Sequence, residues 1–316
     1  MRISVTDRCN IRCFYCMPEE GVKFQPREQI LSFEEIERVA GIAAENGVTK
    51  LRVTGGEPLV RHGLPVLIRK LTAIPGIRDV ALTTNAVLLA QHAPALYEAG
   101  LRRLNIHLDT LDRTRFQEMT RRDDLPRVLE GIAKAIELGF GPIKLNAVAV
   151  KSLNEPDILP IARFCREHGM EARFIEFMPL DAQRIWDRSR VLSADEMIAR
   201  ISAGIGELLE VPDSDPRAPA TEYRYADGGG RVGFIASVTK PFCLNCNRLR
   251  LTSDGKLRYC LFAIEETDIK VLLRNGAPNE AIAEAMRLTT RDKWLGHQIN
   301  SAQFVPPPRP MYSIGG

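Results

Sequence analysis

An apolar run of about 18 residues, the least that spans a bilayer as a helix, occurs nowhere in this 316-residue chain. Excess charge of one sign is also missing. Lys and Arg number 43 against 40 Asp and Glu, and the net of +3 is too mild to argue for DNA or a membrane surface. Any anion site must therefore be a local cluster of Arg and Lys. The opening residues, Met1-Arg2-Ile3-Ser4-Val5-Thr6-Asp7, lack the apolar segment of a signal peptide. What is present is ordinary for a soluble globular protein: 45% apolar and 26% charged residues, enough for one large domain and a smaller addition. Cysteine is the exception. Six of the seven fall in two clusters, which points to metal rather than disulfides, in a reducing cytosol.

The first 180 or so residues repeat one phrase: a helix pattern, a glycine stop, then a short apolar strand. The stops are Gly47, Gly100, Gly139 and Gly169, where a left-handed residue can end a helix. Ser32 and Glu35 form a capping box for the helix that closes at Gly47, and Ser193 and Glu196 form another. Strands are expected at 2–6, 50–54, 78–83, 104–108, 143–150 and 172–177. They read as continuous apolar runs, as parallel strands covered on both faces do. Six strands joined by helices predict an α/β fold, a partial (β/α)6 barrel with functional residues at the C-terminal ends of its strands. After Met178-Pro179 the pattern changes to short strands with turn signals such as Asp227-Gly228-Gly229-Gly230 and Asp254-Gly255. The division expected is a part-barrel at 1–180 and a smaller α+β domain at 181–316.

The first cysteine cluster reads Cys9-x3-Cys13-x2-Cys16. A closed [4Fe–4S] site takes four thiolates, so three thiolates leave one iron open to another ligand. Structural zinc is the plainer reading, but zinc takes four ligands and no fourth Cys or His stands near Cys16. The second cluster is Cys243-x2-Cys246-x13-Cys260. On spacing alone a half-finished zinc ribbon stays open there beside a second [4Fe–4S] site. Cys165 lies on a helix pattern and reads as a small core residue.

The triad after a first strand, with the aromatic Tyr15 before its last cysteine, resembles the radical S-adenosylmethionine (SAM) superfamily. So does Gly55-Gly56-Glu57-Pro58 after the second strand, where only glycine lets the backbone approach a ligand closely. Two triads together narrow the resemblance to the GTP 3′,8-cyclase family of molybdenum-cofactor biosynthesis. Further marks are Arg173-Phe174-Ile175-Glu176-Phe177-Met178, Cys246-Asn247-Arg248-Leu249-Arg250-Leu251 and the terminal Gly315-Gly316.

The resemblance implies two [4Fe–4S] clusters, one on Cys9, Cys13 and Cys16, the other on Cys243, Cys246 and Cys260. It implies SAM at Tyr15, Gly56, Glu57, Met178 and position 107, where many relatives carry Ser and this chain has His107. GTP is implied at Arg2, Arg52, Thr83, Lys144 and the stretch Arg248, Leu249 and Arg250. An internal salt bridge is the bland alternative for Arg52 and Lys144, since a charge in an apolar strand must be paired or face a cavity. Ala86 stands where relatives often have Gly, so a slightly different turn is expected. Relatives also carry a further N-terminal stretch, which leaves Arg2 beside a free terminus. Family chemistry would convert GTP to 3′,8-cyclo-7,8-dihydro-GTP through a 5′-deoxyadenosyl radical, with no side-chain acid or base assigned.

The partners implied are a flavodoxin- or ferredoxin-like electron donor and a downstream cyclic pyranopterin monophosphate synthase, and a homodimer is admitted. No nucleic acid or membrane enters. Two rival functions stand beside this one: another radical SAM enzyme with an auxiliary cluster, such as a peptide maturase, and a non-catalytic zinc-bound module.

Overall fold

The punctuation read from the sequence sets the helix ends. In the computed structural model, which describes residues 1–181, 183–212, 215–291, 293 and 296–316, Gly47, Gly100, Gly139 and Gly169 all take φ between 65° and 97°. The helix Phe33–Glu45 starts at the expected capping box: Ser32 Oγ accepts from Glu35 N at 3.1 Å, and Glu35 Oε2 accepts from Ser32 N at 2.7 Å. Its buried side, Ile36, Val39, Ala40, Ile42 and Ala43, joins the main core.

Six parallel strands follow chain order: β1 (Arg2–Ser4), β2 (Lys50–Thr54), β3 (Asp79–Thr84), β4 (Arg103–His107), β5 (Ile143–Ala149) and β6 (Glu171–Glu176). Each lies within two residues of its expected bounds at either end. A helix joins each to the next, two of them between β4 and β5. The remaining strands are β7 (Leu208–Glu210), β8 (Thr221–Tyr225), β9 (Arg231–Ile235), β10 (Arg250–Leu251), β11 (Lys256–Arg258) and β12 (Thr267–Asp268).

Strands from the stretch after residue 180 extend both edges of the same sheet. The order is β12-β11-β10-β1-β2-β3-β4-β5-β6-β9-β8-β7, a mixed 12-stranded sheet. β10 pairs parallel to β1 and β9 parallel to β6, so neither edge of the six-stranded unit is left with unpaired backbone. The strands are not apolar on both faces. Along β5, Ile143, Leu145, Ala147 and Ala149 are buried, while Lys144, Asn146 and Val148 between them are half-buried. Period-two alternation sends the first set to the helix layer and leaves the polar set on the other face. Short strands hide this pattern, because three or four apolar residues in six look continuous.

Candidate functional site

The polar face of the sheet lines one cavity. Its wall takes Arg2, Arg52, Thr54, Thr83, His107, Asn146, Arg173 and Met178 from the strands and strand ends. The chain beyond residue 240 adds Phe242, Arg248, Arg250, Lys293, His297, Tyr312 and Gly316. All six clustered cysteines, Cys9, Cys13, Cys16, Cys243, Cys246 and Cys260, line this same cavity as free thiols. Cys165 does not; it is buried on the helix Ile158–Glu167, as expected.

The first triad sits on a loop that the glycine pair of the second strand end clasps. Gly56 N donates to Thr6 O at 2.7 Å and Glu57 N to Arg8 O at 2.8 Å. A Cβ on Gly56 would stand 2.4 Å from Arg8 O and 2.8 Å from Arg8 C, both backbone atoms that cannot swing aside. Gly56→Ala should therefore force this turn off the cysteine loop and cost about 1–3 kcal/mol, read as a lower urea midpoint; an unchanged midpoint would contradict the close approach.

Glu57 fastens the turn to its neighbour. Its carboxylate accepts from Leu59 N (2.9 Å), Thr84 Oγ1 (2.8 Å) and Asn85 N (2.7 Å), and burial pushes its pKa up to about 7. Asn85 in turn donates Nδ2 to Asn10 Oδ1 at 2.7 Å, one residue after Cys9. Ala86, which follows, takes φ 63°, so a left-handed turn is kept without glycine.

Tyr15 and His107 meet at the cavity wall over a shared carboxylate. Tyr15 Oη hydrogen-bonds His107 Nε2 and donates to Asp109, and His107 Nε2 lies 3.1 Å from Asp109 Oδ2. Burial opposes charge on His107, but the Asp109 carboxylate outweighs it and holds the imidazole pKa well above its usual value. His107 thus has satisfied ring contacts and also faces the cavity.

The donor chemistry of both triads fits iron–sulfur clusters. Burial pushes the Cys9 thiol up to about 12 and Cys16 well above its ordinary value, with nearby Cys13 adding to both. Thiolates there need positive charge from a bound metal. At Cys246 burial raises the thiol, yet the charge and hydrogen bonds of Arg248 bring its pKa down to about 7. Arg248 Nε stands 3.1 Å and Lys293 Nζ 3.2 Å from its sulfur. Among the described residues, no group of three or more His, Cys, Asp or Glu is arranged to hold a single metal ion.

The arginines form the second element of the site. In register, Arg250 of β10 pairs with Arg2 of β1, and Arg2 with Arg52 of β2, so three guanidinium groups start from one face of adjacent strands. Among the described residues, no carboxylate forms a salt bridge with any of these three or with Arg248. Burial, then mutual repulsion, lowers them: Arg52 to about 10, Arg250 to about 9, and Arg2 well below the ordinary value. Four buried or half-buried cations with no described carboxylate beside them make a polyanion site. Thr83 Oγ1 and Asn146 Oδ1 at this wall are buried without a partner among the described residues.

Not every expected residue faces the cavity. Lys144 Nζ lies 2.8 Å from Glu171 and 3.7 Å from Glu222 and is absent from the wall, since it sits two residues nearer the start of β5 than Asn146. Leu249 is buried in the core, and its carbonyl accepts from Arg2 N at 2.8 Å. That bond also fixes Arg2 in β1. Sequence reasoning passed over Asn146, Phe242, Lys293 and Tyr312 at the wall, and also Arg173, which lines the cavity while paired to Glu171 (2.5 Å) and Glu222 (2.8 Å). For Arg173 the signal was there, a charge inside an apolar strand like Arg52.

The C-terminal tail completes the wall. Arg250 Nη1 donates to Gly315 O at 2.8 Å, and Thr54 Oγ1 to Gly316 O at 2.7 Å. Gly315 has φ 91°, and a Cβ there would stand 2.6 Å from Ser4 Cβ.

Comparison with known proteins adds three findings. Residues 3–165 match the radical SAM superfamily, and residues 170–299 match the family described as Molybdenum Cofactor Synthesis C. The chain is 47% identical to "GTP 3′,8-cyclase" of Rhodopirellula baltica, over 100% of this chain and 89% of the relative. It is 46% identical to "GTP 3′,8-cyclase 2" of Mycobacterium tuberculosis, with the same shares covered. Among solved structures, Streptococcus suis SuiB bound to S-adenosylmethionine superposes with TM-score 0.51 at 19% identity, over 64% of this chain and 47% of that one. HydG, a maturase of the [FeFe]-hydrogenase, gives 0.51 and 19% over 65% and 49%. At that identity the likeness is one of fold.

Proposed function

The chain belongs to the GTP 3′,8-cyclase family of the radical SAM superfamily, and from that premise we propose that its cavity holds SAM at the first cysteine triad and GTP between the two triads. The function is conversion of GTP to (8S)-3′,8-cyclo-7,8-dihydroguanosine 5′-triphosphate, the first step of molybdenum-cofactor biosynthesis. One observation carries the reading: both triads and four arginines that no described carboxylate pairs line a single cavity. When bound, the first cluster and SAM supply a 5′-deoxyadenosyl radical able to take the ribose C3′ hydrogen, a C–H too weakly acidic for any side-chain base.

The chain's own residues do the placing. Cys9, Cys13 and Cys16 hold the first cluster, and Cys243, Cys246 and Cys260 the second. Tyr15, Gly56, Glu57, His107 and Met178 frame SAM. Arg2, Arg52, Arg248 and Arg250 take the triphosphate, whose charge offsets their mutual repulsion. Thr83 gives an unpartnered hydroxyl to the substrate. Lys144, within its carboxylate pair, keeps a second-layer place behind Arg173. Gly315 and Gly316 close the cavity beside Thr54.

The six parallel strands serve as a partial (β/α)6 barrel, and residues 181–316 as the smaller part that brings the second cluster. A reducing cytoplasm suits six unpaired cysteines. A flavodoxin- or ferredoxin-like donor would supply electrons, a cyclic pyranopterin monophosphate synthase would take the product, and a homodimer is compatible. No described helix is long and apolar enough to cross a membrane. A peptide substrate would give no reason for four arginines that no described carboxylate pairs.

Anaerobic incubation with GTP, SAM and dithionite tests the proposal. Deoxyadenosine and the cyclised nucleotide should rise together. Deoxyadenosine formation that ignores GTP, with no cyclised product, would overturn it.

A further inference from the structure

The last residues reach the cavity with little regular structure to hold them, only the short helix Met311–Ile314. What fixes the segment just before it is a chain of alternating charges. Arg309 donates Nη1 and Nη2 to the two oxygens of Asp254, at 3.0 and 2.7 Å. Its Nε lies 2.9 Å from Glu266 Oε1. That same oxygen takes Nη1 of Arg258, a side chain with no solvent exposure. Arg258 Nη2 then donates to Leu261 O and Ala263 O, the carbonyls that follow Cys260. Asp254 is steadied from the other side by Thr252 Oγ1 at 2.6 Å.

Geometry gives each member a distinct task. A guanidinium presents donors on two edges in one fixed plane, so Arg309 can grip both oxygens of Asp254 and still reach Glu266 with Nε, a geometry an ammonium does not match. Asp254 and Glu266 are largely shielded from water, with side chains 8% and 16% exposed; loss of Arg309 leaves Asp254 as shielded negative charge, while Glu266 keeps Arg258. Arg309 itself lines no part of the cavity.

We propose that Arg309 is a positioning residue that clamps the C-terminal tail to the Cys260 loop, making tail insertion and the placement of the third cysteine of the second triad one mechanical unit. Without the clamp the tail keeps its bonds to Arg250 and Thr54, the bond from Met311 N to Leu180 O at 3.1 Å, the Tyr312 backbone bond to Cys16 and the burial of Ile314. The clamp stands on the contacts alone; its effect on turnover rests on the function proposed above.

The test uses the full chain with both clusters loaded, as wild type and as Arg309→Ala, Arg309→Lys and Asp254→Asn. Carboxypeptidase trimming of the terminal glycines, followed by intact mass, reads tail release. The electron paramagnetic resonance spectrum of the reduced second cluster reads the Cys260 loop. Trimming should speed up on the order of tenfold or more in Arg309→Ala, equivalent to ~1.4 kcal/mol of lost docking. Arg309→Lys should fall between it and wild type, and the second-cluster spectrum should change in step. KM for GTP should rise while SAM cleavage without GTP stays level. Wild-type trimming and spectrum in Arg309→Ala overturn the clamp. Should that variant not fold, wild-type trimming in both Arg309→Lys and Asp254→Asn does the same. Faster trimming in a chain whose wild type makes no cyclised nucleotide would uphold the clamp and reject the function.

Discussion

Cys246→Ser should remove the cyclised nucleotide while deoxyadenosine still forms from SAM. The cavity places this thiol beside Arg248 at 3.1 Å and Lys293 at 3.2 Å, the cations that favour its thiolate. A serine hydroxyl stays protonated in that setting and is a poor ligand for iron. Losing a residue that merely supports a metal ligand costs about 10- to 100-fold, so losing the ligand should cost product formation more than that. The first triad lies on a separate loop between Thr6 and Met17, tied to Gly56 and Glu57 rather than to the Cys246 segment. Its iron content and its SAM cleavage should persist. Equal loss of both activities with the first cluster intact would refute this division of labour.

Arg250→Ala and Arg248→Ala should weaken GTP binding and leave SAM binding nearly unchanged. Each charge-assisted hydrogen bond to phosphate contributes about 1.5–3 kcal/mol, so each variant should lose roughly 10- to 150-fold in affinity. The larger loss belongs to Arg250, which is buried, and which sits in register with Arg2. A second signature separates a ligand site from a structural ion pair. Arg250 has no carboxylate to orphan, and its removal relieves repulsion from Arg248, so the ligand-free chain should lose little stability for so buried a change. Calorimetry with unchanged GTP affinity, or a collapse of ligand-free stability, would remove the phosphate role.

The strands, helix stops and cysteine triads were legible in the chain because each is local. A capping box such as Ser32–Glu35 spans three residues, and Cys9, Cys13 and Cys16 lie within eight. The charge rule worked less evenly. It singled out Arg52 and Lys144 as charges inside apolar strands, but only the register tells which end of a strand opens to the cavity. Lys144 lies opposite Glu171, whereas Asn146, two residues on, lies opposite Arg173 at the cavity wall. Arg173 obeyed the same rule and was taken only as part of a motif. The placement of β10 beside β1 could not be foreseen, because two short parallel strands carry no local sign of their partner.

That pairing has a consequence for how the chain is made. Arg2 and Arg250 become neighbours in the sheet although 250 − 2 = 248 positions separate them. Contacts of such long range form late, after local helices and nearby strands. A ribosome would have to add those 248 residues before β1 could find that partner. The nascent protein would thus carry its first three thiols with Arg2 and Arg52 but without Arg248 and Arg250 until β10 emerges, and nucleotide capture would wait for that strand.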